Sequence, residues 1–444
     1  MIRTFRSLGE FNYRVWASGA LISNVGTWMQ RAAQDWIVLT ELTDHSAGAV
    51  GIVTGLQFGP QVLLLPITGW IADAFDRRHV LIATQAAMGL LALGLGLLVL
   101  SGHVQLWHVF VFAFLLGCVA AVDAPVRQTF VSELVDEAHL SNAVGLNSAS
   151  FNAGRTIGPA VAGVMIGSVG TGWVFLANAL SYVAVLASLA MLRAGELHLQ
   201  KRAALSRGGF AEGFRYVSGR ADLRAILSML FLVGMLGLNF PIFISAMAVN
   251  EFHLGAEAFG ALTSCMAIGS VAGALLAAGR EMPGMGYLIA GAALFGLGLG
   301  LAAVMPVYWM FGAALVLAGV ATQTYNTSTN SLVQLSTEPA MRGRVMAIHL
   351  ALAMGTTPIG GPLVGWVADR FGPRWSIGVG AAAGFAAAAI GLRYLARYRG
   401  VRPRFAWRAP YFSLVSAAVM GDPGSAVEVP APDIRAESES GRKS

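Results

Sequence analysis

Residues 79–122 read HVLIATQAAMGLLALGLGLLVLSGHVQLWHVFVFAFLLGCVAAV. The stretch contains no Asp, Glu, Lys or Arg, and Ser101-Gly102-His103 is its polar break. A bilayer core is about 30 Å thick and takes about 20 apolar residues of helix to cross. Cut at 101–103, the stretch supplies two such helices and the turn between them. No apolar-polar alternation is present. Helices and closed barrels are the structures that satisfy every backbone group in lipid, so the helical reading stands.

Further stretches without Asp, Glu, Lys or Arg run 47–72, 156–192, 225–250, 258–279, 282–337, 345–368 and 375–392. The longest divides near Met305-Pro306, and 156–192 divides at Gly170-Thr171-Gly172. With a charge-interrupted first helix, the expected spans are 15–40, 47–72, 79–100, 106–127, 140–168, 173–192, 223–249, 257–279, 285–304, 307–335, 344–368 and 375–393. The expected fold is all-α and integral to the membrane, twelve transmembrane helices in two six-helix halves. Composition agrees, with 56% hydrophobic residues, 12% charged and mean hydropathy +0.65. Soluble domains carry about 25% charged residues. An ordinary soluble enzyme and a disordered chain are thereby excluded. Cys118 and Cys265 lie far apart in apolar runs and make neither a disulfide framework nor a zinc site. No Gly-Lys dipeptide, no His-Glu-x-x-His and no Ser with Gly at both −2 and +2 occurs. A P-loop, a zinc protease helix and a nucleophile elbow are therefore absent, and no metal site is expected.

Positive charge sets orientation. With the N-terminus inside, 25 Arg and Lys fall in cytoplasmic segments, two (Arg370 and Arg374) fall outside, and Arg31 and Arg155 lie within spans. Both termini are thus expected to be cytoplasmic, in a multi-pass protein of the inner membrane. The first span lacks a short apolar core followed by a cleavage site and reads as a retained helix. The basic excess is dispersed between spans, so nucleic acid is not an expected partner; the lipid bilayer is. The expected organisation is a cytoplasmic N-terminus at 1–14, a first half at 15–193, a cytoplasmic linker at 194–222, a second half at 223–396 and a disordered cytoplasmic tail at 397–444. Phe210, Phe214 and Val217 recur at helical spacing in the linker, which reads as an amphipathic surface helix or a solvated connection.

A repeat supports the division. Gly158-Pro159-Ala-Val-Ala-Gly163, with Gly170 and Trp173, recurs as Gly361-Pro362-Leu-Val-Gly365, with Gly372 and Trp375, at an offset of 203 that falls to 202. Glycine and proline there permit close helix approach and bending. Two parallel halves are the architecture of a rocking carrier. The loop Gly69-Trp-Ile-Ala-Asp73-Ala-Phe-Asp76-Arg77-Arg78, with Leu81, resembles the loop between helices two and three of the major facilitator superfamily, with Asp76 where that family has a second glycine. Across about residues 10–395 the chain resembles the enterobactin-exporter-like transmembrane secretion effector branch of that superfamily. The residues that carry this are Gly26-Thr-Trp28-Met-Gln30, Asp123-Ala-Pro125-Val-Arg127-Gln128, Asn142-Ala-Val-Gly-Leu-Asn147-Ser148, Phe151-Asn152-Ala-Gly-Arg155 and Arg342-Gly-Arg344-Val-Met346. The resemblance implies export of a small siderophore-like or drug-like amphiphile, driven by proton antiport, with no cofactor beyond the proton gradient.

Charges at mid-membrane are costly and mark pathways. Asn24, Trp28, Arg31 and Asp35 share one face of the first helix, with Asp35 about 31 Å above Arg14 and so toward the outer leaflet. Ser148, Asn152, Arg155 and Pro159 share a face of the fifth, with Arg155 near the midplane. Asp35 is the candidate titrating carboxylate, and Arg31 and Arg155 are candidate substrate contacts; the structural alternatives are an Arg31–Asp35 bridge and a bridge from Arg155 within the first half. The second half offers neutral groups, Asn239 and, on one face of the tenth helix, Gln323, Asn326, Asn330 and Gln334. Gly69, Asp73, Arg77, Arg78, Asp123 and Arg127 are the candidate gating loop and cytoplasmic latch, and Glu133 reads as part of the adjoining loop. Gly158, Pro159, Gly163, Gly361, Pro362 and Gly365 are assigned to helix bending and packing. Gly365-Trp-Val-Ala-Asp369-Arg370-Phe-Gly372-Pro-Arg374 looks like a second gating loop but falls outside in this topology and reads as a structural turn. The expected protein is a monomeric alternating-access exporter. An importer or facilitator on the same fold is the alternative, and a membrane-embedded enzyme the distant one.

Overall fold

A computed structural model describes residues 3–64, 67–68, 71, 74–198, 209–278, 284–398, 401–405 and 412–416. The first half comprises α1 (Phe11–Thr40), α2 (Ala47–Leu63), α3 (Arg77–Leu100), α4 (Leu106–Phe130), α5 (Glu137–Val169) and α6 (Thr171–Ala190). The linker carries α7 (Gly209–Gly219). The second half comprises α8 (Ala221–Leu236), α9 (Phe240–Ala246), α10 (Ala256–Ala278), α11 (Met285–Val304), α12 (Tyr308–Leu335), α13 (Arg342–Gly355), α14 (Thr357–Phe371) and α15 (Pro373–Tyr398). A helix stands at each of the twelve expected stretches, and among the described residues eight segments are long and apolar enough by themselves to cross a membrane. Of the others, α2 is described for only 17 residues. α1, α5 and α12 carry the polar faces singled out above.

Two expected spans are broken. Gly237–Asn239 separates α8 from α9, and Met247–Glu251 continues as a π-helical turn. The eleventh span breaks at Thr356, between α13 and α14. Pro241 and Pro358 stand in the first turn after each break, where proline lacks the donor that would continue the helix and constrains the residue before it. Within the tail, β1 (Val401–Phe405) pairs antiparallel with β2 (Phe412–Ser416), and the rest of 397–444 beyond Tyr398 lies outside the described residues. Valine and phenylalanine favour extended backbone there. Gly69, Asp73 and most of the linker before Gly209 lie outside the described residues.

Helix ends are set by short-range chemistry. Ser46, Asp76 and Asp136 cap α2, α3 and α5 by accepting from Ala49, His79 and His139 amides. Gly170 and Gly372, equivalent in the repeat, end α5 and α14 with φ of 92° and 102°, a region that favours glycine.

Contacts sort the loops into two ends. His45, Glu41 and Thr171, with Glu251, Ala303, Asp369 and Arg374, gather at a distal end. Ser7, Asn12, Arg77, Glu133, Asn142 and Arg193, with Arg220, Ser336 and Arg344, gather at the proximal end. The halves touch along two seams, α2 against α14 and α5 against α10. A Cβ on Gly51 would lie 2.4 Å from the Gly361 carbonyl oxygen, and one on Gly365 2.5 Å from that of Ala47. On the other seam, a Cβ on Gly163 would lie 2.6 Å from the Ala256 oxygen, and one on Gly260 2.5 Å from that of Pro159. Both copies of the repeat are thus seam residues. The seams close the distal end. The polar bonds of the proximal end named above stay within one half or join α7 to the second.

α7 does form, and it docks on protein. Val217 is buried while Phe214 is exposed, Gly213 lies against Arg344 and Ile348, and Glu212 pairs with Arg344 at 3.1 Å. Backbone contact also fixes α14 on α8, where a Cβ on Gly360 would sit 1.7 Å from the Met235 oxygen. Gly360→Ala should therefore cost about 1–3 kcal/mol. Gly145→Ala, with nothing within 4 Å of the new Cβ, should cost nothing. Thermal unfolding of the detergent-solubilised proteins checks both.

Candidate functional site

The faces of α5 locate the cavity. Gly154 and Gly158 lie against Asn24, Val25 and Trp28 of α1. On another side Gly163 meets α10, and the Thr156 carbonyl accepts from Ser264. Ile157, Val161 and Val164 are exposed on the flank that faces lipid. At 100° per residue, Ser148, Phe151 and Arg155 fall on the opposite arc, between α1 and α10, facing the space between the halves. Asn152 donates to the Ser148 carbonyl at 2.9 Å. Arg155 is half-buried and has no acidic partner within 4.0 Å among the described residues.

The face of α1 completes this wall. Asn24 is buried, donates to Ser150 Oγ at 3.0 Å and accepts from Arg127 at 3.5 Å. Trp28 meets Phe151 edge to face at 5.6 Å. The Arg31 guanidinium lies 4.9 Å from the Trp28 ring centroid and 5.1 Å from that of Phe58 on α2. Its Nε is buried without a hydrogen-bond partner. Asp35 is buried one turn further, and the alternative Arg31–Asp35 bridge does not form: among the described residues neither group has an ion pair within 4.0 Å. Rings hold the cation instead, an interaction that strengthens as water is removed.

The described residues of the candidate latch are engaged within the first half. Asp123 accepts from Thr84 (2.8 Å), Gln85 (2.6 Å) and Arg127 (2.9 and 2.6 Å). Arg77 pairs with Glu133, which lies in the loop between α4 and α5 as expected, in a 3-10 turn, and is buried there. Arg78 donates to the carbonyls of Leu189 and Ala190. Among the described residues Asp123, Arg127 and Arg78 make no hydrogen bond to the second half. Asp76, the departure from the family loop, caps α3. Burial raises its pKa, but bonds from the His79 amide and ring outweigh that and hold it below the ordinary carboxylate range.

The second half presents neutral groups, as expected, but few are free. Asn239 is sealed at 1% exposure and donates to the Met235 carbonyl at 2.8 Å. Gln323 reaches Thr327 at 3.5 Å, Gln334 donates to Asn330 at 3.1 Å, and Asn326 is half-buried. Phe240, Phe243 and Tyr325 are core. Among the described residues one trio, Glu10, Asp136 and His139, clusters like metal ligands. Its members already cap a helix and bond one another.

Asp369 is the residue whose part the sequence reading missed. Its carboxylate accepts from Ser46 Oγ (2.8 Å), Ala47 N (2.6 Å) and Gly48 N (2.9 Å), all in the other half. The signal was the repeat of the gating-loop pattern at 365–374, which was read as a turn because nothing in the spacing names a partner more than 300 residues away.

Paired six-helix halves joined at glycine seams define a transporter of the major facilitator type. The chain belongs to the transmembrane secretion effector family, whose model matches residues 4–422. It is 27% identical over 362 residues to the staphyloferrin A transporter of Staphylococcus aureus (strain NCTC 8325 / PS 47), covering 80% of this chain and 89% of that protein. It is 26% identical over 366 residues to the enterobactin exporter EntS of Citrobacter koseri, covering 80% and 84%. A crystal structure of a bacterial homolog to the human lysosomal transporter Spinster, inward-facing and occupied, matches with TM-score 0.68 at 14% identity over 90% of this chain and 98% of that one, a likeness of fold. The chain is thus a multi-pass secondary transporter for small molecules and not an enzyme.

Asp123→Ala would strand Arg127 beside two unfilled donors. The loss should be about 3 kcal/mol, the low end for a broken buried pair because the Arg127 side chain keeps 22% exposure. Asp123→Asn should lose less, and melting of the solubilised variants ranks the two.

Proposed function

We propose that the protein exports a small anionic amphiphile across the cytoplasmic membrane by alternating access, coupled to proton antiport. One observation carries the reading: Arg155 faces the space between the halves, and neither it nor the Arg31 held among rings on the adjoining helix has a carboxylate within 4.0 Å among the described residues. A buried guanidinium is too costly to leave unused. Its planar donor fork suits a bidentate carboxylate or catecholate. Trp28, Phe58 and Phe151 beside it offer ring surface to an aromatic or apolar portion. The substrates for which these relatives are named, staphyloferrin A and enterobactin, support a siderophore-like cargo.

In this reading the inward-open carrier takes the anion from the cytoplasm or inner leaflet onto Arg155 and Arg31. The halves rock about the seams, the distal end opens, and the anion leaves. Asp35, the buried carboxylate without a partner, carries the proton on the return of the empty carrier. An inside-negative potential adds about 2.3 kcal/mol per exported negative charge for each 100 mV. Both termini lie in the cytoplasm, and the protein works as a monomer.

Inverted vesicles loaded with the purified protein test this. A catecholate or hydroxycarboxylate siderophore should accumulate when a proton gradient is imposed. Arg155→Ala and Arg31→Met should each lower the initial rate about tenfold or more, as expected for loss of a charge-assisted contact. Asp35→Asn should abolish the response to the pH gradient while leaving counterflow. Unchanged efflux in the Arg155→Ala, Asp35→Asn double variant would refute the assignment, and uptake in the opposite sense would favour an importer.

A further inference from the structure

We propose that Asp369 is the latch of the distal gate, holding it shut by capping, from the second half, the N-terminus of a helix in the first. The first amides of any helix lack intrahelical acceptors. In α2 the Ser46 side chain serves Ala49, and the amides of Ala47 and Gly48 are left over. Asp369, in the last turn of α14, takes both with its two oxygens and the Ser46 hydroxyl as well. A negative charge at the positive end of a helix, accepting three bonds, is a charge-assisted contact that exists only while the distal ends of α2 and α14 touch.

The surroundings are shaped for it. A Cβ on Gly48 would lie 2.8 Å from Asp369 Oδ2, so only glycine admits the carboxylate. The other seam shows the same device with its parts exchanged. The repeat offset of 202 places Gly167 of α5 where α14 has Asp369. Gly365 meets the Ala47 carbonyl as Gly163 meets that of Ala256, so Glu257 of α10 stands where α2 has Gly48. A Cβ on Gly167 would lie 3.0 Å from Glu257 Oε1. Each seam thus sets one acid of the second half against one glycine of the first, at exchanged positions of the repeat. The outcome differs: Asp369 is bonded across its seam, whereas Glu257 makes no hydrogen bond to α5 among the described residues. One seam is locked and the other only packed. Asp369 is exposed at its edge, so water can replace its donors as the seam parts.

The test uses the full chain in lipid nanodiscs with Cys118 and Cys265 replaced. Spin labels at Asp44→Cys and Phe371→Cys report the distal opening by electron–electron distance measurement; labels at Glu137→Cys and Arg342→Cys report the proximal end. The unaltered gate should give mainly the short distal distance. Asp369→Ala should raise the ratio of long to short distances about tenfold or more, the shift expected when a state-specific charged contact is lost. Asp369→Asn and Ser46→Ala should move it in the same direction by less, and they carry the test should Asp369→Ala not fold. Glu257→Gln should leave the ratio unchanged. Distributions unaltered in all three variants of the locked seam, or an equal shift with Glu257→Gln, would overturn the latch. The proximal labels separate this from the alternating-access reading on which its transport role rests: distal opening without proximal closing would support the latch and refute that reading.

Discussion

The closest approaches between the halves are backbone to backbone. Gly51, Gly365, Gly163 and Gly260 each stand where a Cβ would collide with a carbonyl oxygen of the opposite half. Lipid offers no hydrophobic gain for pressing two apolar helices together, so tight contact through small residues does that work. Because both seams are built from the same repeated glycine-proline segment, they are related by the near-symmetry of the fold.

Charge is distributed with equal economy. The ionised groups of the first half are mostly consumed locally: Asp123 by Arg127, Thr84 and Gln85, and Glu133 by Arg77. Those left over, Arg31, Asp35 and Arg155, sit on α1 and α5, the helices whose other faces pack on each other. A buried charge that the protein does not neutralise is expensive, and its persistence on the cavity side points to use rather than packing.

Much of this was legible beforehand because the bilayer simplifies the problem. Absence of charge over 79–122 or 282–337 has one structural solution, and the helices appear there. The paired Gly170 and Gly372 were legible too, as equivalents in a repeat, though not as left-handed caps. Partners were illegible. Arg31 and Asp35 have the spacing of a salt bridge, but aromatic rings from two helices surround the guanidinium instead. Glu133 sits in a segment that reads as loop, yet Arg77 draws it inside. The breaks at Gly237–Asn239 and Thr356 follow from prolines whose effect depends on whether neighbouring helices accept a bend.

All the ionised cavity groups belong to one wall. A cargo held by its charged head would therefore stay with the first half throughout a cycle, while the second half slides past its uncharged side. Recognition of shape and recognition of charge are then borne by different halves. Replacing residues on the second wall could admit new scaffolds without rebuilding the site that grips them, which makes that wall the natural place for this kind of carrier to diversify.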